Sequence, residues 1–431
     1  MKLIDNLSEK EYEKYCNEHI KESHFLHSYV WGKFQQKERN VIAHYVGLKD
    51  DNNRLCATAL LLEKNLVMGY KYFYCPRGYL IDYKNNELLD IFTTELKKYA
   101  KNKKAIFIKI DPDLKLHDLD IEGNIVEDGI DNMDVVNELK KLGYKHLGFN
   151  KNFENNQPRY TFRLNLNKSI DEITKNFHPT TRKIINRGNP YDLILIKNDI
   201  NTFDDFYKTM QETSQRENIV NHPYEYYKEY YKCLHKKNMS DLYVVKVNGQ
   251  KLKNIYKCKI DSLTNELEEM DDEKYKNPTK IKNKKQEIIN QLDKAKKEYA
   301  IINELDDGDI TLSAILTAKY LNKIWTLFGG NSTILRELNS NYYIYYEIIK
   351  DALKEKFDII DFFGTTGNPQ KDNPVYGIHL FKKRLGGEYT EFIGEFDLII
   401  NKFIYYLYKT LVPIRYKYQK WKYKRENKNI Q

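Results

Sequence analysis

A chain of 431 residues, 41% hydrophobic and with a formal net charge of +9, is too long for one compact core and predicts a folded protein of two or three domains. No apolar run of about eighteen residues occurs, so no membrane span is expected, and the N-terminal MKLIDNLSEKEYEKYC lacks the apolar core of a signal peptide. Five scattered cysteines without a CxxC fit reduced cytosolic thiols better than a disulfide framework or a zinc site, and the modest positive charge suits a protein that meets polyanions.

The first part of the chain reads as mixed α/β. Ser8–Glu18 is charged and helical. FLHSYVWGKFQQKERN (Phe25–Asn40) is a helix entry with a Trp-Gly turn that presents Lys33. ATALLLEKNL (Ala57–Leu66) is a buried strand, and KYFYCPRGYL follows it. Asn85–Lys101 is an amphipathic helix, with Leu88, Leu89, Phe92 and Leu96 at helical spacing. KAIFIKIDPDL is an apolar strand that stops at Asp111-Pro112, because proline cannot continue a central ladder. A carboxylate just past a strand end lines a cleft in many α/β folds, so Asp111 is a candidate site residue, with a plain turn aspartate as the alternative.

The pattern then restarts. SIDEITKNFHPTTRKIINRG reads as one helix, DLILIKN as a strand, INTFDDFYKTMQETSQRENI as a helix, and DLYVVKVNGQ as a strand ending in a glycine turn. From Leu252 to Leu305 Lys and Glu dominate. Ile260, Leu263, Leu267 and Met270, then Ile281, Ile288, Leu292, Ala295, Tyr299 and Ile302, fall on heptad grids on either side of Asn277-Pro278. That predicts an antiparallel coiled-coil hairpin. Lys276, Lys280, Lys282, Lys284 and Lys285 gather at its tip and second helix, opposed by Glu266, Glu268, Glu269, Asp271 and Asp272, so a contact with a polyanion and a plain solvated arm both stay open. ITLSAILTAKY and KIWTLFGG are strands with Gly329-Gly330 at a turn. The NSNYYIYYEIIKDALKEKF helix leads to the strand DIIDFFGTTG, and FKKRLGGEYTEFIGEFDLII forms a turn and strands. The tail Asn401–Gln431 is helical, aromatic and basic, a composition that suits an anionic membrane surface or an RNA backbone.

Signatures of nucleotide hydrolysis, zinc proteolysis, serine hydrolysis and dinucleotide binding are missing. So is the pyrophosphate loop of ordinary acetyl-CoA-dependent N-acetyltransferases. No cofactor or metal is expected.

Several stretches taken in order do carry a resemblance. FLHSYVWGKFQ resembles the Phe-x-Gln/His-Ser-x-x-Trp-Gly-x-x-Gln entry of the Fem family (FemA, FemB, FemX and MurM types), the peptidoglycan-bridge aminoacyltransferases. IKIDP, TSQRENIVNHPYEYY, LFGGNS, NYYIYYEIIKDALKEKFDIIDFFGTTG and HLFKKRLGGEYTEFIGEFDLIINKFIYYLYK follow in the family's order across nearly the whole chain. The resemblance implies two acetyltransferase-like (GNAT-like) α/β domains, the first from residues 1–158 plus about 395–431, the second from 159–394, with the coiled-coil arm 252–305 inserted in the second. It implies transfer of an amino acid from aminoacyl-tRNA to the stem-peptide amino group of a peptidoglycan precursor, either lipid II or UDP-MurNAc-pentapeptide.

By the same resemblance, Lys33 and Arg216 match the cations that hold the precursor's phosphates. Asp111 matches a carboxylate near the acceptor, and Tyr227 a cleft tyrosine whose register among Tyr224, Tyr226 and Tyr227 stays open. Phe381-Lys382 match the pair that meets the tRNA end, with Lys383 as the alternative lysine, and Gly329 and Gly330 join the substrate-binding set. The chemistry is compatible with this set. An arginine grips a diphosphate with two parallel hydrogen bonds. An ammonium such as Lys382 stabilises the oxyanion formed on the ester. Asp111 is one candidate acceptor for the amine's proton, with substrate-assisted transfer as the other. A lipid-linked acceptor would bring the basic tail to the inner membrane face. The competing functions are a non-catalytic RNA-binding or scaffold protein with a coiled-coil arm, and an acyl-CoA N-acetyltransferase.

Overall fold

The computed structural model describes residues 1–66, 69–217, 220–270 and 278–411. Most of the tail that the sequence marks as basic and aromatic, and the tip of the arm with Lys276, Asp271 and Asp272, lie outside them. Among the described residues no helix is long and apolar enough to cross a membrane.

The chain opens with β1 (Lys2–Ile4), α1 (Glu9–Glu18), α2 (Tyr29–Arg39), β2 (Ile42–Lys49), β3 (Leu55–Asn65), β4 (Lys71–Cys75), α3 (Asn86–Asn102), β5 (Ala105–Ile110), β6 (Lys115–Asp118), α4 (Met133–Lys141) and β7 (Tyr144–His146). It continues with β8 (Tyr160–Asn165), α5 (Ile170–Lys175), α6 (Pro179–Asn186), β9 (Ile194–Lys197), α7 (Phe203–Glu217), α8 (Tyr224–His235), β10 (Leu242–Asn248), α9 (Gly249–Glu268) and α10 (Pro278–Asn303). The last part is β11 (Asp309–Tyr320), β12 (Lys323–Asn331), α11 (Ser340–Lys354), β13 (Ile359–Thr365), α12 (Tyr376–Lys383), β14 (Glu388–Phe392) and β15 (Phe396–Ile399). Residues 402–411 are helical.

The strands form two mixed sheets, so the fold is α/β as expected. One has the order β1-β2-β3-β4-β5-β15-β7 and the other β6-β14-β8-β13-β12-β11-β10-β9. β15 returns to the first sheet from the far end of the chain, while β6 leaves the first part of the chain to edge the second sheet. Each sheet holds one parallel pair, β4 with β5 and β12 with β13. The second of these is short. It pairs Lys323, Ile324 and Trp325 with Ile359, Ile360 and Asp361, and a register shift between Asp361 and Gly364 then displaces β13 from β8. Phe363, in that displaced stretch, sits at φ +59°.

The two sheets share a core. Trp325 of β12, fully buried, packs its ring on Phe25 at 4.9 Å and on His24 at 4.4 Å, residues just ahead of α2. Phe34 of α2 meets Tyr226 and Tyr230 of α8 edge-on. Large aromatics give this seam much apolar area with few rotatable bonds.

Several local expectations are corrected. Trp31, Gly32 and Lys33 form no turn: they lie inside α2, which starts after Ser28, whose hydroxyl caps the Trp31 N–H at 3.1 Å. Gly32 is small because a Cβ there would lie 2.2 Å from the Tyr45 hydroxyl. The segment 169–188 is two helices, since the residue before Pro179 is pushed out of helical geometry and becomes the cap of α6. Gly249 makes no turn either. It begins α9 beneath the Asn248 cap, at a point where a Cβ would strike the Asp306 carbonyl. Gly329 and Gly330 lie within β12, paired with Ile315 and Ala314. The FKK stretch closes α12 rather than a turn.

The arm is an antiparallel helix pair. Gly249 bonds to Gly308 at its base, Lys253 reaches the Leu305 carbonyl, and Lys284 pairs with Glu266 further out. Ile281, Ile288, Leu292, Ala295 and Ile302 are buried along one face of α10, the stripe that a seam between two helices requires.

Candidate functional site

The ends of the two parallel pairs face one cavity of about 780 Å³ between the sheets. Lys64, Leu66, Tyr72 and Tyr74 line it from β3, β4 and their connection, and Leu327, Phe328 and Phe363 line it from β12 and β13. Gln35 and Arg39 of α2, together with His222 and Tyr226, close one side. The crevice beyond the carboxyl ends of parallel strands is where α/β sheets take ligands, because the ladder ends there and leaves side chains and backbone groups free.

Asp111, the residue after β5, stands behind Tyr74. The Tyr74 hydroxyl donates to Asp111 Oδ2 at 2.8 Å, and the Arg77 N–H donates to Oδ1 at 2.6 Å. Gln157 Nε2 donates to the Tyr74 hydroxyl at 3.3 Å, so the carboxyl is linked to the cavity through two groups that line it. Asp111 is only 4% exposed, and burial pushes its pKa up to about 7, against the opposing pull of the Arg77 charge. Burial and the neighbouring carboxylate also raise the Tyr74 hydroxyl well above its usual value, so it stays a donor.

Lys382 stands behind the opposite wall. Its Nζ donates to the Phe363 carbonyl at 3.0 Å and to the Gly364 carbonyl at 2.6 Å. Phe363 lies in the stretch that the shift in β13 takes out of register and Gly364 is where pairing with β8 resumes, and the lysine bonds to both carbonyls. It is 8% exposed, and desolvation brings its pKa down to about 7. A carboxyl that ionises near neutrality and an ammonium that deprotonates near neutrality thus flank one cavity. That is the range in which general acid–base chemistry is most efficient.

The remaining candidates from the sequence are dispersed. Lys33 is exposed on α2, with its Nζ 5.4 Å from the centre of the Tyr29 ring. Arg216 lines a separate cavity of about 480 Å³ with Asn331, Ser332 and Arg336, donating to the Asn331 carbonyl and pairing with Glu217 at 2.9 Å. Lys33 lines neither of these two cavities. Tyr226 lines the larger one, while Tyr227 sits behind Phe328 with ring centres 5.0 Å apart and its hydroxyl on Asn221. Phe381 is wedged between Tyr342 and Tyr345, and Lys383 pairs with Glu122. Gly330 serves packing: a Cβ there would lie 2.5 Å from the Thr209 backbone of α7. Gly329 is exposed.

Sequence reading missed Arg39, Lys64, Tyr74, Gln157, His222 and the Phe328–Phe363 wall. One signal was available for Lys64, which follows Glu63 where the apolar run of β3 gives way to polar residues. Among the described residues no group of three His, Cys, Asp or Glu could hold a metal ion.

The FemAB family model matches residues 7–412. A lipid II:glycine glycyltransferase of Staphylococcus haemolyticus (strain JCSC1435) is 29% identical over 367 residues, covering 82% of this chain and 83% of the relative. One of Staphylococcus aureus is 28% identical over 366 residues with the same coverage of both chains. The crystal structure of FemX superposes with a TM-score of 0.73 at 25% identity, covering 94% of this chain and 99% of that one.

Proposed function

Because this chain belongs to the FemAB family, we propose that it transfers an aminoacyl group from aminoacyl-tRNA to the stem-peptide amine of a lipid II-type peptidoglycan precursor. It is an aminoacyltransferase. The observation that carries the reading is the cavity between the two sheets, with the Tyr74–Asp111 pair on one wall and Lys382 behind the other. The staphylococcal relatives, named as glycyltransferases acting on lipid II, support the acceptor class.

An aminoacyl ester is already activated, so the reaction needs no nucleophilic serine or cysteine. The acceptor nitrogen attacks the ester carbonyl, an N–C bond forms, and the C–O bond to the ribose breaks. The ribose oxygen leaves with a proton, and the amine gives one up. Asp111, ionised above about pH 7, takes the amine's proton through the Tyr74 hydroxyl or directly. Lys382 in its protonated form holds the Phe363–Gly364 backbone in place and places positive charge beside the oxyanion as it forms. Lys33, on the exposed face of α2, and Arg216, in its separate cavity, offer phosphate contacts away from the main cavity, Tyr227 backs the Phe328 wall, and Phe381 packs between Tyr342 and Tyr345. Gly330 lets the strand run close to α7, while Gly329 is exposed beside it. Holding two substrates in one cavity supplies much of the acceleration.

The arm and the basic tail fit a tRNA donor and a membrane-borne acceptor respectively. The test is incubation of the purified protein with tRNA charged with labelled amino acid and a muramyl-pentapeptide acceptor. Label in the stem peptide, dependent on the charged tRNA, is expected. Absence of transfer with every amino acid and with both lipid-linked and soluble acceptors would overturn the reading.

A further inference from the structure

Two cations line the cavity with no carboxylate in contact among the described residues. Lys64, at the end of β3, has its Nζ 5.1 Å from the centre of the Tyr74 ring and 5.7 Å from that of Tyr72. Arg39, at the end of α2, lies with its guanidinium 4.6 Å from the Tyr226 ring and donates to His222 Nδ1 at 3.2 Å. Among the described residues neither takes part in an ion pair, although charged neighbours do: Lys37, on the same helix as Arg39, pairs with Glu229, and Glu63, beside Lys64 on β3, pairs with Lys71 of β4. The two charges also feel one another. Desolvation and the nearby Arg39 charge both lower the Lys64 pKa, against a weaker pull from Asp111. Burial and the Arg39 charge lower the His222 pKa too, which keeps the imidazole a neutral acceptor for the guanidinium.

Bringing two like charges together in a partly desolvated cavity is unfavourable unless an anion joins them. The aromatic faces and the His222 acceptor hold both cations in place before any ligand arrives, so little side-chain entropy is lost on binding.

We infer that Arg39 and Lys64 form a phosphate-binding subsite on the wall of the cleft that carries Tyr74. The inference rests on the proposed aminoacyl transfer for its ligand, a phosphate oxyanion. That oxyanion comes either from the diphosphate of the acceptor or from a phosphodiester at the end of the donor RNA. An arginine matches both chemistries with paired N–H donors, and a lysine adds a point charge.

The experiment has two arms. Inorganic pyrophosphate is titrated calorimetrically into the full chain, wild type, Arg39→Gln, Lys64→Gln and the double variant. A loss of about ten- to a hundredfold in affinity for the double variant is expected. This arm reads the subsite even where no aminoacyl transfer occurs. In the second arm, KM is measured separately for a muramyl-pentapeptide diphosphate acceptor and for the aminoacyl-tRNA. A rise confined to the acceptor assigns the subsite to the diphosphate, and a rise confined to the donor assigns it to the RNA. Arg39 is exposed, so its glutamine variant keeps the fold, and Lys64→Arg is expected to restore much of the pyrophosphate affinity. Unchanged pyrophosphate affinity in the double variant, or unchanged KM for both substrates, would overturn the inference.

Discussion

Asp111 and Asp113 lie two residues apart on either side of Pro112, and the protein treats them in opposite ways. Asp113 faces Arg163 of β8, whose Nη2 donates to it at 2.6 Å while its Nε donates to Asp361 of β13 at 2.9 Å. That arginine is clamped between carboxylates of different elements, and its charge holds the Asp113 carboxyl well below the usual range despite full burial. Among the described residues Asp111 has only a hydroxyl and one backbone N–H as donors, and burial drives it up to about 7. The same division runs through the seam between the sheets. Lys109 is neutralised by Glu395 and Asp397, whereas among the described residues Lys382, Lys64 and Arg39 around the cavity have no carboxylate in contact. Where charges are matched they join the sheets. Where they are left unmatched, Lys64 and Arg39 line the cavity and Lys382 stands behind its wall.

The largest effect expected from breaking this contrast lies on the matched side. Arg163→Met strands Asp113 and Asp361 in a buried site and should cost about 3–5 kcal/mol in chemical denaturation. On the unmatched side, Lys382→Met keeps the side-chain volume and should lower single-turnover transfer by about 10²–10³ while the protein stays folded by circular dichroism. Asp111→Asn should lower the same rate by about 10²-fold or more where the carboxylate takes the amine's proton.

The Asp111→Asn variant also has a readout in stability. A carboxyl whose folded pKa is raised stabilises the fold at acid pH and loses that contribution as pH rises through about 7. Wild-type stability should therefore fall between about pH 4 and pH 7 relative to the asparagine variant, by an amount on the order of a few kcal/mol. Denaturation midpoints taken across that range read it directly. The smallest effect belongs to Lys33→Ala. That side chain is exposed, so the variant should weaken precursor binding by about tenfold or less and leave the melting temperature unchanged.

Much of the framework is legible in the sequence because it rests on local rules. The apolar runs of β3 and β5 and the spacing in α3 announce buried faces, and the heptads in α9 and α10 announce a helix pair. Asp111 stands out because Pro112 ends its strand. The places where the reading slips share a cause, which is that distant partners decide them. Gly32 and Gly330 look like turn residues, yet Tyr45 and the Thr209 backbone, far along the chain, require them inside a helix and a strand. Arg39 reads as an ordinary solvated residue at a helix end, and only the approach of His222 and Tyr226 from beyond α7 gives it a place in the cavity. Phe363 and Lys382 acquire their relation from a register shift that no local pattern encodes. The family resemblance offers Lys382 and Asp111 as candidates but says nothing of their burial or hydrogen-bond partners.

If the unmatched groups around the cavity perform the transfer, the pH dependence of the single-turnover rate must report their ionisation. An ionised Asp111 and a protonated Lys382, both titrating near 7, predict a bell-shaped profile centred close to neutrality. The acid limb should vanish in Asp111→Asn and the alkaline limb in Lys382→Met. A profile that is flat between about pH 5 and pH 9 in the wild type, or one whose two limbs survive in both variants, would contradict that role of the unmatched groups.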